Sequence, residues 1–336
     1  MGKTTLAKQV FNDERIDKYF PSKMWVCVSD SFDIKRVIIK IINSSQNSTD
    51  APTYQQNLRD LDIHQLQNHL KGKLKGQMFL LVLDDVWNED RVKWVELMDS
   101  IQVGAAGSQI LVTTRNHSIA SMMGNISSHI LVGLSLEDSL SVFVKWAFKE
   151  GEEKKYPHLV NIGRDIVKRC GGIPLAVRTL GSSLFSKYET DKWEYIRDNE
   201  IWNSQDTGSI LPALVLSYCQ MPCYLKECFP LFSLFPKDHA YDSFDIASLW
   251  RAHGLLPPPI RNQTLKNSAN QFLFELFSVS FLQDFIDHGI GFTFKIHDLV
   301  HYCAESVTGG ECSLVKDSIE GSDLVYARHL SFPEAY

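Results

Sequence analysis

The chain has 336 residues, with 34 lysines and arginines against 40 aspartates and glutamates and a formal charge of −6. That length suffices for two or three compact units, and the acidic balance excludes a general nucleic-acid surface, which would need a basic excess. Seven cysteines without a C-x-x-C pair predict reduced thiols rather than disulfides or zinc.

Gly2-Lys3-Thr4-Thr5 opens the chain as the tail of the phosphate-binding pattern G-x-x-x-x-G-K-[ST]. Residues 3–20 read as one helix, with Leu6, Val10 and Phe11 at helical spacing and Pro21 as its stop. No apolar signal region follows Met1, and Leu6 stands where N-myristoylation wants Ser or Thr. Met24–Ser29 is a short β-rich run and Ile34–Asn43 is helical. Residues 44–56 are polar and read as an exposed loop, after which Leu58–Leu74 returns to helical spacing. Met78–Leu83 is a wholly apolar strand that ends in Asp84-Asp85. A helix over Val92–Ile101 and a glycine turn at Gly104 and Gly107 lead to a second apolar strand, Gln109–Thr114, which ends at Arg115. A further strand is expected at Ile130–Val132. Apolar strands alternating with helices predict a parallel sheet covered on both faces.

From Ser135 the pattern becomes helical. Residues 137–149, 159–170, 174–186, 209–218, 224–235, 243–256 and 264–282 suit helices, with Ser135, Ser209 and Ser243 as caps. Phe281–Lys295 holds a Gly289–Gly291 turn between short apolar runs, which predicts a hairpin or wing. Residues 313–336 read as a connecting tail. No apolar run reaches the ~18 residues of a membrane span, so a soluble, cytoplasmic chain is expected.

Three clusters carry chemistry. Backbone amides of a glycine-lysine-threonine loop wrap phosphates, its lysine neutralises their charge and its hydroxyl holds Mg²⁺. An acid pair ending an apolar strand can hold that metal and orient an attacking water. An arginine closing the neighbouring strand can reach a γ-phosphate or simply pair with an acid, and position alone leaves both readings open.

These residues sit within a longer ordered series. Trp25-Val-Cys-Val-Ser29 with Phe32-Asp33, Leu81-Val-Leu-Asp-Asp-Val-Trp87 and Gly107-Ser-Gln-Ile-Leu-Val-Thr-Thr-Arg115 are followed by Cys170-Gly-Gly-Ile-Pro-Leu-Ala176. Cys228-Phe-Pro-Leu-Phe-Ser-Leu-Phe-Pro-Lys-Asp238, Leu249-Trp250, Ile296-His-Asp-Leu-Val300 and Ala327-Arg-His-Leu-Ser331 complete it. The series resembles the NB-ARC nucleotide switch of plant intracellular immune receptors, in the class with an amino-terminal coiled coil and carboxyl-terminal leucine-rich repeats. Trp87 favours that class.

The resemblance implies a P-loop NTPase parallel sheet with its first strand missing, then a helical subdomain and a winged-helix-like subdomain. It implies a nucleotide-binding core over residues 1–134 and the two subdomains over 135–206 and 207–312. Residues 313–336 would lead toward leucine-rich repeats. Gly2 and Lys3 would cradle the β-phosphate of ADP or ATP, Thr4 would meet the phosphate or Mg²⁺, and Thr5 would lie on the α-phosphate side. Asp84 would be the metal-side acid, Asp85 the candidate base and Arg115 the γ-phosphate sensor. Pro174 would line the base pocket, and His297 would reach the β-phosphate of ADP. The implied function is signalling in plant defence, with self-association when active and at most slow ATP hydrolysis to reset the switch. The rival expectation is a truncated receptor fragment or interaction module without a competent nucleotide site, because the glycine-rich half of the loop would precede Gly2. His297 and His301 share the spacing of a zinc-hydrolase pair, but Asp298 replaces the glutamate base of that motif.

Overall fold

The computed structural model describes residues 2–28, 32–44, 58–203, 211–257, 265–315 and 327–332. Ser209 and nearly all of the loop at 44–56 lie outside the described residues. The chain forms two compact units, Met1–Leu131 and Val132–Tyr336.

In the first unit the helix expected over 3–20 is two, α1 (Lys3–Phe11) and α2 (Glu14–Tyr19). The break has a local cause: Asp13 adopts an extended backbone and accepts a hydrogen bond from the Arg15 amide, capping a new helix. Three strands follow, β1 (Ser22–Cys27), β2 (Phe79–Val86) and β3 (Gln109–Thr114). They pair in parallel in the order β1-β2-β3, which places the acid-bearing strand in the centre.

Both faces are covered, as the apolar strands imply. Leu81 and Leu83 of β2 join the core formed with α3 (Ile34–Ser44), α4 (Ile63–Leu74) and α5 (Arg91–Ile101). Leu80 and Val82, pointing the other way, pack with Ala7 of α1. A capping box of Asp62 and Gln65 starts α4 and separates it from the helical residues 58–60. A short α6 (His117–Met123), unmarked in the sequence pattern, follows β3 under an Asn116 cap. The strand expected at Ile130–Val132 is absent: that segment pairs with no strand among the described residues, and Ile130 and Val132 are 72% and 83% exposed.

The second unit is helical with a small antiparallel sheet. Its helices are α7 (Leu136–Ala147), α8 (Pro157–Arg169), α9 (Pro174–Ser183), α10 (Thr190–Asp198), α11 (Leu211–Cys219) and α12 (Cys223–Cys228). The helix expected over 224–235 changes after α12 to a 3₁₀ segment, Phe229–Leu234, because Pro230 has no N–H for an α-helical ladder. Strand β4 (Tyr241–Asp242) precedes α13 (Ser243–Ala252) and α14 (Leu265–Ser278). The expected hairpin is β5 (Leu282–Asp287) and β6 (Phe292–Ile296), and the sheet order is β4-β6-β5.

Ser135 caps α7 as expected, but Asp242 rather than Ser243 caps α13. The Ser243 hydroxyl instead accepts from the Phe292 amide at 3.1 Å. After α15 (Asp298–Val307), the supposed tail contains two short strands, β7 (Cys312–Leu314) and β8 (His329–Ser331), paired in parallel. One continuous core, including Phe143, Trp193, Phe232, Trp250 and Phe294, runs through this unit.

Candidate functional site

Gly2 stands at the N-cap of α1 in the left-handed region, φ 69°, a conformation glycine adopts without a Cβ penalty. No side chain caps this end. The first-turn amides of a helix have no intrahelical acceptor, and the helix dipole adds partial positive charge, so such an end attracts anions. Lys3, Thr4 and Thr5 form that turn.

Beneath it, the Thr4 hydroxyl donates to Asp84 Oδ1 at 3.0 Å. The Thr113 hydroxyl on β3 donates to the same oxygen at 2.5 Å. Asp84 is 5% exposed, and these charge-assisted bonds satisfy it. Thus helix α1, central strand β2 and neighbouring strand β3 meet at one carboxylate.

Asp85 is placed by a departure from regular strand geometry. The β2–β3 register shifts between Leu83 and Val86, and Asp85 has a left-handed backbone, φ 53°. Such bulges re-aim side chains at strand ends beside functional sites. The Asp85 amide donates to the Thr113 hydroxyl at 2.9 Å, and the Thr114 hydroxyl donates to the Val86 carbonyl at 2.7 Å. Asp85 then faces Arg115, whose Nε is 3.5 Å from Oδ1, and accepts at Oδ2 from the Trp87 indole N–H at 3.0 Å. The Arg115 guanidinium lies over the Trp87 ring, 4.9 Å from its centroid.

Lys3 belongs electrostatically to the same cluster. Burial lowers its pKa, the positive charge of Arg115 lowers it further, and Asp85 and Asp84 oppose both effects. The structure therefore brings Gly2, Lys3, Thr4, Asp84, Asp85 and Arg115 together, while Thr5 is exposed on the same first turn. Sequence reasoning passed over Thr113 as a site residue and used Trp87 only as a class marker. Their signal was position: one is the penultimate residue of β3, opposite the acids, and the other follows Asp85 by two residues.

The two remaining motif residues lie in the second unit. Pro174 is the first residue of α9, after Gly171 and Gly172 with φ of 60° and 73°. His297 caps α15, its Nδ1 accepting from the Leu299 amide at 3.1 Å. That bond makes Nδ1 the unprotonated nitrogen, so the proton of the neutral ring is on Nε2. His301 is buried, with Nε2 2.7 Å from the Phe235 carbonyl oxygen.

Among the described residues no three His, Cys, Asp or Glu converge as a metal cage. The donors at Thr4 and Asp84 suit a hard cation that keeps water and phosphate oxygens in its coordination shell, as Mg²⁺ does. They do not suit a cation needing an all-protein shell.

Two family models match parts of the chain. Residues 1–153 match the NB-ARC domain, and residues 234–304 match the Disease resistance protein Winged helix domain. Putative disease resistance protein RGA4 of Solanum bulbocastanum is 45% identical over 314 residues, covering 93% of this chain and 31% of that protein. Disease resistance protein RGA2 of the same plant is 45% identical over 315 residues, with the same coverage. Disease resistance protein RPM1 of Arabidopsis thaliana is 29% identical over 332 residues, covering 96% of this chain and 35% of that protein. The chain thus spans 31% of the length of the Solanum relatives. Among solved structures, a Signal Transduction ATPase with Numerous Domains protein with a tetratricopeptide repeat sensor, from Pyrococcus horikoshii, is 16% identical with a TM-score of 0.48. That match covers 91% of this chain and 38% of the other.

Proposed function

The chain belongs to the NB-ARC family of plant disease resistance proteins, and we propose that it binds ADP or ATP with Mg²⁺ as the switch of an immune receptor. The observation that carries this reading is the Thr4–Asp84 hydrogen bond, which ties the turn bearing Lys3 to the central acid strand. Amides of the first turn of α1 and the Lys3 ammonium supply the positive field for a diphosphate. Thr4 and Asp84 are the residues that would hold Mg²⁺, and the ion, when bound, neutralises phosphate charge. Asp85 is the candidate acceptor of a water proton, with any hydrolysis serving to reset the switch.

Arg115 is assigned to the γ-phosphate. By resemblance alone, Pro174 is assigned to the adenine and His297 to the β-phosphate, and an imidazole Nε2–H is a kind of donor that a phosphate oxygen accepts. A residue that bonds ADP better than ATP biases the population toward the ADP state. In a whole receptor, a coiled coil and leucine-rich repeats would supply signalling and recognition, and self-association would accompany activation.

The test is to purify the 336-residue chain, denature it and measure released adenine nucleotide by chromatography. Near-stoichiometric ADP is expected in the wild type. Lys3→Ala removes a charge-assisted contact of about 1.5–3 kcal/mol, roughly ten- to a hundredfold in affinity, and should leave the chain empty. Unchanged ADP content in Lys3→Ala would refute the assignment. A folded, empty wild type would favour the interaction-module reading.

A further inference from the structure

Trp87, Asp85 and Arg115 form a closed triangle just beyond the ends of β2 and β3. The indole N–H donates to one Asp85 oxygen at 3.0 Å, Arg115 Nε is 3.5 Å from the other, and the guanidinium covers the indole ring at 4.9 Å. Each member thus touches both of the others. Asp85 is placed by its left-handed φ and by its amide bond to Thr113, while Arg115 follows the last residue of β3. Lys3 lies close enough for its charge and that of Arg115 to oppose each other.

We propose that Trp87 is a positioning residue that parks Arg115 against Asp85 until a γ-phosphate draws it away. This rests on the nucleotide reading above. In the parked arrangement both Asp85 oxygens are engaged, one by an indole donor and one by a cation, which leaves fewer acceptor positions for a water. A γ-phosphate competes for the same guanidinium through charge-assisted bonds. Departure of Arg115 releases Asp85 Oδ1, and a single side-chain movement couples recognition of ATP to exposure of the candidate base. ADP has no γ-phosphate and leaves the triangle closed.

The sign of the Trp87 effect follows. Its contacts stabilise the arrangement that ATP must dissolve and ADP need not, so they weaken ATP binding relative to ADP. Loss of a partly exposed cation–π contact corresponds to about a two- to fivefold change.

The experiment uses the full chain labelled with 5-fluorotryptophan, with Mg²⁺ and either ADP or the non-hydrolysable analogue AMP-PNP. Fluorine NMR resolves Trp87 from the other tryptophans by its absence in Trp87→Phe. AMP-PNP should move the Trp87 resonance and ADP should not. Arg115→Ala should move it without nucleotide. Calorimetry of Trp87→Leu should show the AMP-PNP to ADP affinity ratio raised about two- to fivefold. Trp87→Phe, which keeps a ring and loses the N–H, should fall between Leu and wild type. Equal responses to the two nucleotides, an unchanged ratio in Trp87→Leu, or a resonance indifferent to Arg115→Ala would each overturn the proposal while nucleotide binding stands. A chain that binds neither nucleotide overturns the underlying function, and this proposal with it.

Discussion

Lys3, which the proposed nucleotide site would use, occupies a place that is costly to the ligand-free fold. It is drawn partly out of water near Arg115, at a helix end whose dipole is also unfavourable to a cation. Because its folded pKa lies below the unfolded value of 10.5, the folded chain gives up this proton at lower pH than the unfolded chain. The destabilisation is fully present below the folded pKa and fades as pH rises from there toward 10.5. Nucleotide-free Lys3→Ala should therefore melt higher than wild type at neutral pH, and its advantage should shrink in the alkaline range. Thermal scans of both proteins across that range, after nucleotide removal, test the claim. A lower Tm for Lys3→Ala at neutral pH would contradict it. Lys3 was legible in the sequence because a motif fixes its neighbours. Thr113 was not, because a threonine near a strand end has many uses; only the pairing of β3 with β2 brings its hydroxyl to Asp84.

At the scale of elements, the buried strands were the clearest part of the sequence. Residues 79–83 are apolar at every position because β2 is covered on both faces, and 109–114 ends where its motif ends. Boundaries set by one polar side chain were harder to read. Asp13 splits a helix and Asp242 displaces Ser243 as a cap, since both positions offer a competent oxygen and only tertiary context chooses. Ile130–Val132 looks like a strand by composition, yet it joins no sheet among the described residues, and Ile130 and Val132 stay exposed. His297 caps an element and, under the proposed function, would also meet a ligand. As the cap of α15, His297→Ala should destabilise the chain by about 0.5–2 kcal/mol. Asn can restore the cap, so His297→Asn should recover most of that loss in urea unfolding. If His297 also restrains ADP, both variants should release ADP faster, and the two roles separate. Equal stability of the Ala and Asn variants would remove the capping role.

At the scale of the whole chain, the resemblance implied a helical and a winged-helix subdomain over 135–206 and 207–312, and the apolar core of the second unit is continuous across that boundary. Helix α9 packs on α11, the Ser217 hydroxyl donates to the Thr179 carbonyl at 3.2 Å, and the Ser182 and Ser280 hydroxyls are 3.2 Å apart. Composition and punctuation mark where a chain turns, but not whether the segments on either side bury their surfaces together. Trp193 offers a test from one end of that core. It is fully buried, packs edge-on against Phe143 at 5.6 Å and beside Phe148 at 5.3 Å, and donates its indole N–H to the Lys187 carbonyl at 2.7 Å. Trp193→Ala should cost about 3–5 kcal/mol through lost burial and the cavity left behind, a large share of a total stability of about 5–15 kcal/mol. Because the core is shared, the loss should appear by hydrogen exchange as reduced amide protection in α13 and α15 as well as in α7 and α8. Loss confined to α7–α10 would mean that the contacts across the boundary are too weak to join the two segments into one cooperative unit, and the subdomains would then be energetic entities as well as sequence ones.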